Sequence, residues 1–538
     1  MARQFSGKAD RNPFVISGII ACFIFLIILS LSRNVNWDEF YFLSHIHAFQ
    51  DGRLDQPMQT FYVHGFGWLA RLPGAEMTQI TVARLIMVGF VGITALSIHW
   101  IARNFTDLAS ADIALLAFLS SGFLLPHGAS FRTDPMAAAF LTTAIALLMT
   151  TRMGLFHVVI VAGLGAFALL VTVKSVLFFP CVLAALIWRA PCSGVVARSL
   201  LAVVLALTLF GALYYWHTSG IEVAAGKDTA TNARNAVTTT LLKSGFFPRF
   251  DTFVTWAILS ISPVVLAIVG LISARSPRLI IVLVLCAGPL LSVIIYRNAF
   301  AYFFPFAVPM LMLAVAFGAQ QLAGTKWLRA LVMILLVTAV GQMALSITEN
   351  SRTQRATIAE VHRLFPEPVT YIDEASMIAS FPSAGFFMSS WGVKNYRAAG
   401  IPIFADIIER VQPPLLIASK SALISTMVDD RVVLHPDDHA ALRENYVHYA
   451  GAIWLAGKTV IVEQDPITVQ LPIQGRYKMT VSGSDDIQTI VAGEEPIILN
   501  GAPGTVYSIV WDSGVEPLAT PLPRVSLLYA GFWRIRLW

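Results

Sequence analysis

The sequence predicts a polytopic α-helical membrane protein of about eleven spanning helices, followed by an extracytoplasmic domain of α/β and β-rich structure. Two observations predict it. The 538 residues are 56% hydrophobic and only 13% charged, with a mean hydropathy of +0.69, and a soluble chain of this size needs far more charge to cover its surface. The apolar residues also fall in long runs up to residue 348, after which Pro, Asp and short β-branched runs take over.

The spans are expected near 14–32, 80–101, 110–126, 135–151, 155–172, 175–188, 199–216, 252–273, 279–296, 300–318 and 328–348. The first follows Arg3, Lys8 and Arg11 and runs for roughly 18 residues, long for a signal-peptide core, so it reads as an uncleaved helix. Short turns carrying Arg103, Arg152, Arg189, Arg198, Arg275, Arg278, Lys326 and Arg329 are expected inside the cell. An odd number of spans then places the C-terminal part, and the loops 33–79 and 217–251, outside the plasma (inner) membrane. Arg53, Arg132, Lys174, Arg249 and Arg297 also fall outside, against the charge rule, and an anionic ligand is one reason for a cation there.

Beyond the spans (1–348), residues 349–458 read as a small α/β unit. Pro368–Ile372 and Leu415–Ala418 are its expected buried strands, and Asp437–Tyr449 its helix behind an acidic start. Residues 459–538 alternate short β runs with Gly, Pro, Asp and Asn turns, which predicts a β-rich, sandwich-like module.

The formal net charge is +5, and no dense basic run with interleaved aromatics occurs, so nucleic acid is not an expected partner. Cys22, Cys181, Cys192 and Cys286 lie in or beside apolar runs and read as packing residues. Neither a Walker A, a GxSxG nor an HExxH sequence is present.

Residues able to do chemistry cluster at the expected outer helix ends. Asp38 and Glu39 stand together where the first helix exits; a carboxylate desolvated there is a candidate base, while Asp38 could equally cap a helix from Phe40 to Phe49. Asp134 follows Arg132 at the next outer turn and could cap the helix that Pro135 opens. Lys174 and Arg297 sit between apolar runs, where a cation needs water, a carboxylate or a phosphate, or snorkels to the interface. Tyr62, His64 and Lys243 are further candidates from the outer loops. His45 and His47, two residues apart, point to different helix faces, so no metal site is expected. Acids and cations on one side suit sugar transfer: a base deprotonates the acceptor hydroxyl, and cations steady the departing phosphate.

With Trp37-Asp38-Glu39-Phe40-Tyr41 after the first helix, Arg71-Leu72-Pro73-Gly74 through Ala83-Arg84-Leu85, Phe131-Arg132-Thr133-Asp134, Thr172-Val173-Lys174-Ser175 and Arg297 through Pro305 in this order, the chain resembles the GT-C superfamily of membrane glycosyltransferases. It looks most similar to protein O-mannosyltransferases and lipid A aminoarabinose transferases, over residues 10–350. The resemblance implies a metal-independent, inverting transfer from a polyprenyl-phosphate sugar, which is a substrate and not a cofactor, to a glycan, lipid or protein acceptor, with the membrane lipids as further partners. Asp38 is then the implied base, Glu39 the residue that positions the acceptor, and Lys174, Arg297 and Arg132 the phosphate contacts. Base and cations are expected to flank a gap, with no mutual salt bridge filling it. Where the family has a Lys-Pro-Pro segment, this chain has Gln59-Thr60-Phe61-Tyr62-Val63-His64. The alternatives are a transporter or flippase of lipid-linked sugars, which predicts half-helices and charges near mid-membrane, and a non-catalytic envelope assembly protein.

Overall fold

The computed structural model describes residues 11–222, 245–346, 351–483, 487–493, 495–516, 522 and 528–529. The amino-terminal part is helical: α1 (Pro13–Ser32), α2 (Trp37–Gln50), α3 (Glu76–Phe105), α4 (Leu108–Ser120), α5 (Thr133–Thr150), α6 (Leu155–Val171), α7 (Phe179–Arg189) and α8 (Ser193–Ser219). Further on come α9 (Phe250–Leu259), α10 (Ile261–Ile272), α11 (Pro277–Cys286), α12 (Met312–Gln321) and α13 (Lys326–Ser346). Local signals start several of them. Asn12 accepts from Phe14 N (3.0 Å) ahead of Pro13, and Asp107 accepts from Ser110 N (2.8 Å) at the head of α4.

Five of these helices, α1, α3, α5, α8 and α13, are long and apolar enough to cross a membrane. Three bent pairs raise the number to eight if each is one span: Phe250–Leu259 with Ile261–Ile272 (86°), Pro277–Cys286 with Gly288–Ile294 (52°), and Ala301–Ala307 with Pro309–Gln321 (47°). The expected eleven is therefore not confirmed. The remaining three segments fall on α4, α6 and α7, with 13, 17 and 11 residues, each short of the ~20 a straight span requires. At the crossing of α10 and α12, Gly270 and Gly318 let backbones touch: a Cβ on either would strike the opposite carbonyl. At the expected inner end, Arg189 donates to Thr151 O (2.7 Å) and Arg278 to Trp188 O (2.6 Å), each cation tying up a turn carbonyl.

The carboxyl-terminal part begins with α14 (Arg352–Leu364) and folds around an eight-stranded sheet. The strands are β1 (Tyr371–Asp373), β2 (Ser383–Ala384), β3 (Leu415–Ile417), β4 (Tyr446–Ala450), β5 (Ile453–Ile461), β6 (Ile467–Val469), β7 (Gly475–Val481), β8 (Ile487–Ala492), β9 (Ile497–Leu499) and β10 (Val506–Trp511). Their order is β2-β1-β3-β5-β10-β7-β8, with β4 on β5 and a separate β6–β9 ribbon. β1 runs parallel to β2 and β3; β5 is antiparallel to β3, β4 and β10. The boundary expected at 458/459 thus falls inside β5, and one sheet runs through both expected units. The helix expected over Asp437–Tyr449 is Pro436–Asn445, and its aromatic and β-branched end, Tyr446-Val447-His448-Tyr449, pairs with β5 instead.

Candidate active site

The turn between α1 and α2 is built by charge and capping. Asn36 caps α2: its side chain accepts from Asp38 N (3.0 Å), and Glu39 reaches back to Asn36 N (2.9 Å). Asp38 is therefore in the first turn and not at the cap, and its carboxylate is 18% exposed. Glu39 is fully buried; its Oε1 accepts from Arg84 Nε (2.7 Å) and Phe131 N (2.8 Å), its Oε2 from Arg84 Nη2 (2.6 Å). Burial alone would raise the Glu39 pKa, but the Arg84 guanidinium and the backbone donors hold it below the ordinary value. Arg84 also donates to Arg33 O (2.9 Å) and Asn34 O (2.7 Å), closing the carboxyl end of α1. The sequence reading placed Arg84 in a motif but gave it no partner.

Asp134 likewise sits inside its helix, α5, whose cap position is Arg132, so it does not cap. Lys174 follows Thr172, whose side chain accepts from Lys174 N (3.4 Å). These turns converge. Arg132 bonds Asp38 through Nη1 and reaches Asp134 Oδ2 through Nε at 3.3 Å; Lys174 closes on the other Asp134 oxygen. The result is a continuous chain, Asp38–Arg132–Asp134–Lys174. The expected gap between base and cations is filled, because four desolvated charges brought together from three helix ends pair with one another. Tyr302 covers the chain, its ring centroid 3.6 Å from Arg132 Cζ and 5.7 Å from Lys174 Nζ. Its role could not be read from sequence, where it was one aromatic among several.

Arg297 lies outside this chain, against the ring of Trp391 in the helix Ser390–Ala399 of the carboxyl-terminal domain. Tyr62 and His64 enter two neighbouring networks of the first loop. Tyr62 Oη is 2.7 Å from His45 Nδ1, while His64 Nε2 is 2.8 Å from His217 Nδ1, whose Nε2 is 3.0 Å from Thr60 Oγ1. Lys243 lies outside the described residues. Among the described residues no group of three or more His, Cys, Asp or Glu could hold a metal ion.

The carboxyl-terminal domain sits on this end of the bundle. The Gln354 side chain of α14 accepts from Val35 N (2.9 Å) and donates to Val35 O (2.8 Å). His362 Nε2 lies 3.0 Å from Glu76 Oε2, and Ser380 Oγ donates to Glu76 Oε1 (2.6 Å).

No protein-family model matches the sequence, and no curated protein matches it. Solved structures do match the fold. ArnT from Cupriavidus metallidurans, crystallised with undecaprenyl phosphate, superposes with a TM-score of 0.56 at 14% identity, over 75% of this chain and 93% of its own. The archaeal oligosaccharyltransferase AglB from Archaeoglobus fulgidus, solved with an inhibitory peptide and a dolichol-phosphate, gives a TM-score of 0.47 at 11% identity, over 90% of this chain and 75% of its own. On the superposition with ArnT, the fold is GT-C-like.

Proposed function

We propose that the chain is a plasma-membrane glycosyltransferase that moves a sugar from a polyprenyl-phosphate donor to a cell-envelope glycan, lipid or protein on the extracytoplasmic face, with inversion. The observation that carries this reading is the ion-pair chain Asp38–Arg132–Asp134–Lys174 at the bundle end beneath the carboxyl-terminal domain. Asp38, the partly exposed acid, takes the proton of the acceptor hydroxyl. Arg132 and Lys174 neutralise the charge that grows on the departing phosphate, and Arg297 lends a third positive charge from the side. Asp134 holds both cations in place. Glu39, with its oxygens occupied, positions α2 rather than the acceptor. Two carboxylates and two cations sum to zero, so an arriving phosphate must draw a cation from a carboxylate. Arg132 touches both acids, and its move to the phosphate is the one that frees Asp38. In this reading the base becomes available when donor is bound. The lipid-linked sugar is consumed as a substrate, and the reading calls on no cofactor.

The test is Asp38→Asn in nanodiscs, with a radiolabelled polyprenyl-phosphate sugar and envelope acceptor. Transfer should fall at least ~100-fold, the lower range for losing a positioned base, while thermal stability stays near wild type. Retention of most transfer refutes Asp38 as the base.

A second reading, a flippase of lipid-linked sugars, is favoured by the three bent helix pairs. Their breaks at Ser260, Ala287 and Val308 carry no charge, whereas the charged cluster lies at helix ends, which favours the enzyme. Liposome translocation of the donor without transfer would reverse that preference.

A further inference from the structure

Resting on the reading of Asp38 as the base, we infer that the carboxyl-terminal domain is a working part of the reactive site: its Lys420 and Phe387 are positioning residues that hold the first turn of α2, and with it Asp38, in register with the membrane bundle.

The inference starts from the parallel strands β1 and β3, paired through Asp373 and Ile417. At and just beyond their carboxyl ends stand Asp373-Glu374 and Ser419-Lys420. Asp373, Glu374 and Ser419 are buried, although the first two are acids. Ser419 Oγ bonds the Asp373 carboxylate, which also accepts from Met377 N (2.6 Å); Glu374 Oε1 accepts from Leu423 N. Burial pushes Asp373 up to about 6 and Glu374 up to about 8, so near neutral pH Glu374 mostly keeps its proton. Lys420 stays within electrostatic reach of both acids, Glu374 most strongly. It donates to Met388 O (3.0 Å) and lies 4.5 Å from the centroid of the Trp37 ring, with Phe387 5.9 Å away on the same side. Phe387 in turn stacks on Tyr41, with ring centroids 4.2 Å apart and planes 19° apart.

Trp37 and Tyr41 are one residue before and three after Asp38. Holding both fixes the rotation of the first turn about its axis and its position along it, since residues three and four apart share a helix face. Arg84 and Glu39 anchor the same turn from the bundle side. The turn that presents Asp38 is therefore held from two directions, and one of the two holds belongs to the extracytoplasmic domain. A desolvated ammonium over an indole is a directional contact, and a shift of about 1 Å in a reacting group can cost ~10²-fold in rate.

The experiment uses the full chain in nanodiscs and the variants Lys420→Met, Lys420→Arg, Phe387→Ala and Phe387→Leu. Lys420→Met and Phe387→Ala should lower kcat for transfer about tenfold while the Kd for unmodified polyprenyl phosphate stays within about twofold. Lys420→Arg, which keeps the cation over the ring, and Phe387→Leu, which keeps apolar contact, should restore most of kcat. Hydrogen exchange over residues 37–45 should quicken in the two disabling variants and return in the two conservative ones, and this readout needs no transfer. If wild-type protein shows no transfer but exchange follows this pattern, the positioning inference stands and the enzymatic reading fails. Should wild type transfer sugar while Lys420→Met and Phe387→Ala keep both kcat and exchange, the inference is overturned. It is equally overturned if donor affinity falls in step with kcat, because the domain then acts on the donor site or on folding at large.

Discussion

Replacing Glu39 by Gln separates a substrate-touching acid from one that builds the site. Glu39 and Arg84 are 0% and 4% exposed in their side chains, and their closest contact is 2.6 Å. Removing one partner of such a buried pair costs about 3–5 kcal/mol, because the other charge stays buried without compensation. The amide also turns an NH2 toward donors that now face carboxylate oxygens, leaving Asn36 N or Phe131 N without an acceptor. Penalties at one locus overlap, so the expected loss is about 4 kcal/mol. Arg84→Met alone should cost a similar amount, and the double variant Glu39→Gln/Arg84→Met should recover about 2 kcal/mol of the summed loss, since neither charge is then stranded. The assay is denaturant unfolding in detergent, read by tryptophan fluorescence. The pH dependence adds a sign. Glu39 has a depressed folded-state pKa, so its contribution is present above the ordinary carboxylate range and lost as pH falls through the folded value; Glu39→Gln should flatten that slope. A Glu39→Gln protein within about 1 kcal/mol of wild type yet devoid of transfer would refute the reasoning and return Glu39 to the substrate.

Other expectations follow from the same geometry. Lys174→Ala and Arg297→Ala should each weaken binding of a polyprenyl-phosphate analogue by calorimetry, Lys174→Ala more strongly because it also releases Asp134; unchanged affinity in both places the phosphate elsewhere. His362 has a raised pKa through its hydrogen bond to Glu76. The stability it lends to domain docking is present below the ordinary histidine value and lost as pH rises through the folded one. Protease sensitivity of the junction should rise over that window, and His362→Gln should remove the pH dependence. Gly318→Val forces a side chain into the α10 backbone, and its detergent-solubilised yield should collapse while Gly341→Val, in α13 with open space around it, is milder.

Much of this was legible in the sequence because hydropathy and charge act locally. The turns holding Asp38, Asp134 and Lys174 were found as charges at the ends of apolar runs, and those three meet. Their pairing was not legible: which cation meets which acid depends on how three helix ends pack, and Arg132 reaches Asp38 across 94 positions of sequence while also holding Asp134. Capping misled in the same way. Asp38 and Asp134 have good cap chemistry, yet Asn36 takes one cap, and the residue before α5 uses no side chain at all. Helices α4, α6 and α7 read as spans on apolar composition, which does not report helix length; at 13, 17 and 11 residues they leave the expected eleven unconfirmed. The single sheet across 458/459 was hidden because β5 pairs with strands before and after it in the chain, and alternation reports a strand but not its neighbours.

The Gln354 side chain, which imitates a strand partner for Val35 across 319 residues, has a consequence for biosynthesis. The peptide unit just ahead of the Asn36 cap cannot receive its permanent partner until every membrane helix has left the ribosome and α14 has emerged. Contacts this distant form late, since a long loop must close first. Under the proposed transfer, a nascent chain would thus pass through insertion with the turn of Asp38 unfinished, unable to spend lipid-linked sugar on the wrong hydroxyl. Ribosome-arrested chains that end before α14 should leave the segment between α1 and α3 open to protease, and chains that extend past the carboxyl-terminal sheet should protect it; equal protection in both would remove this ordering.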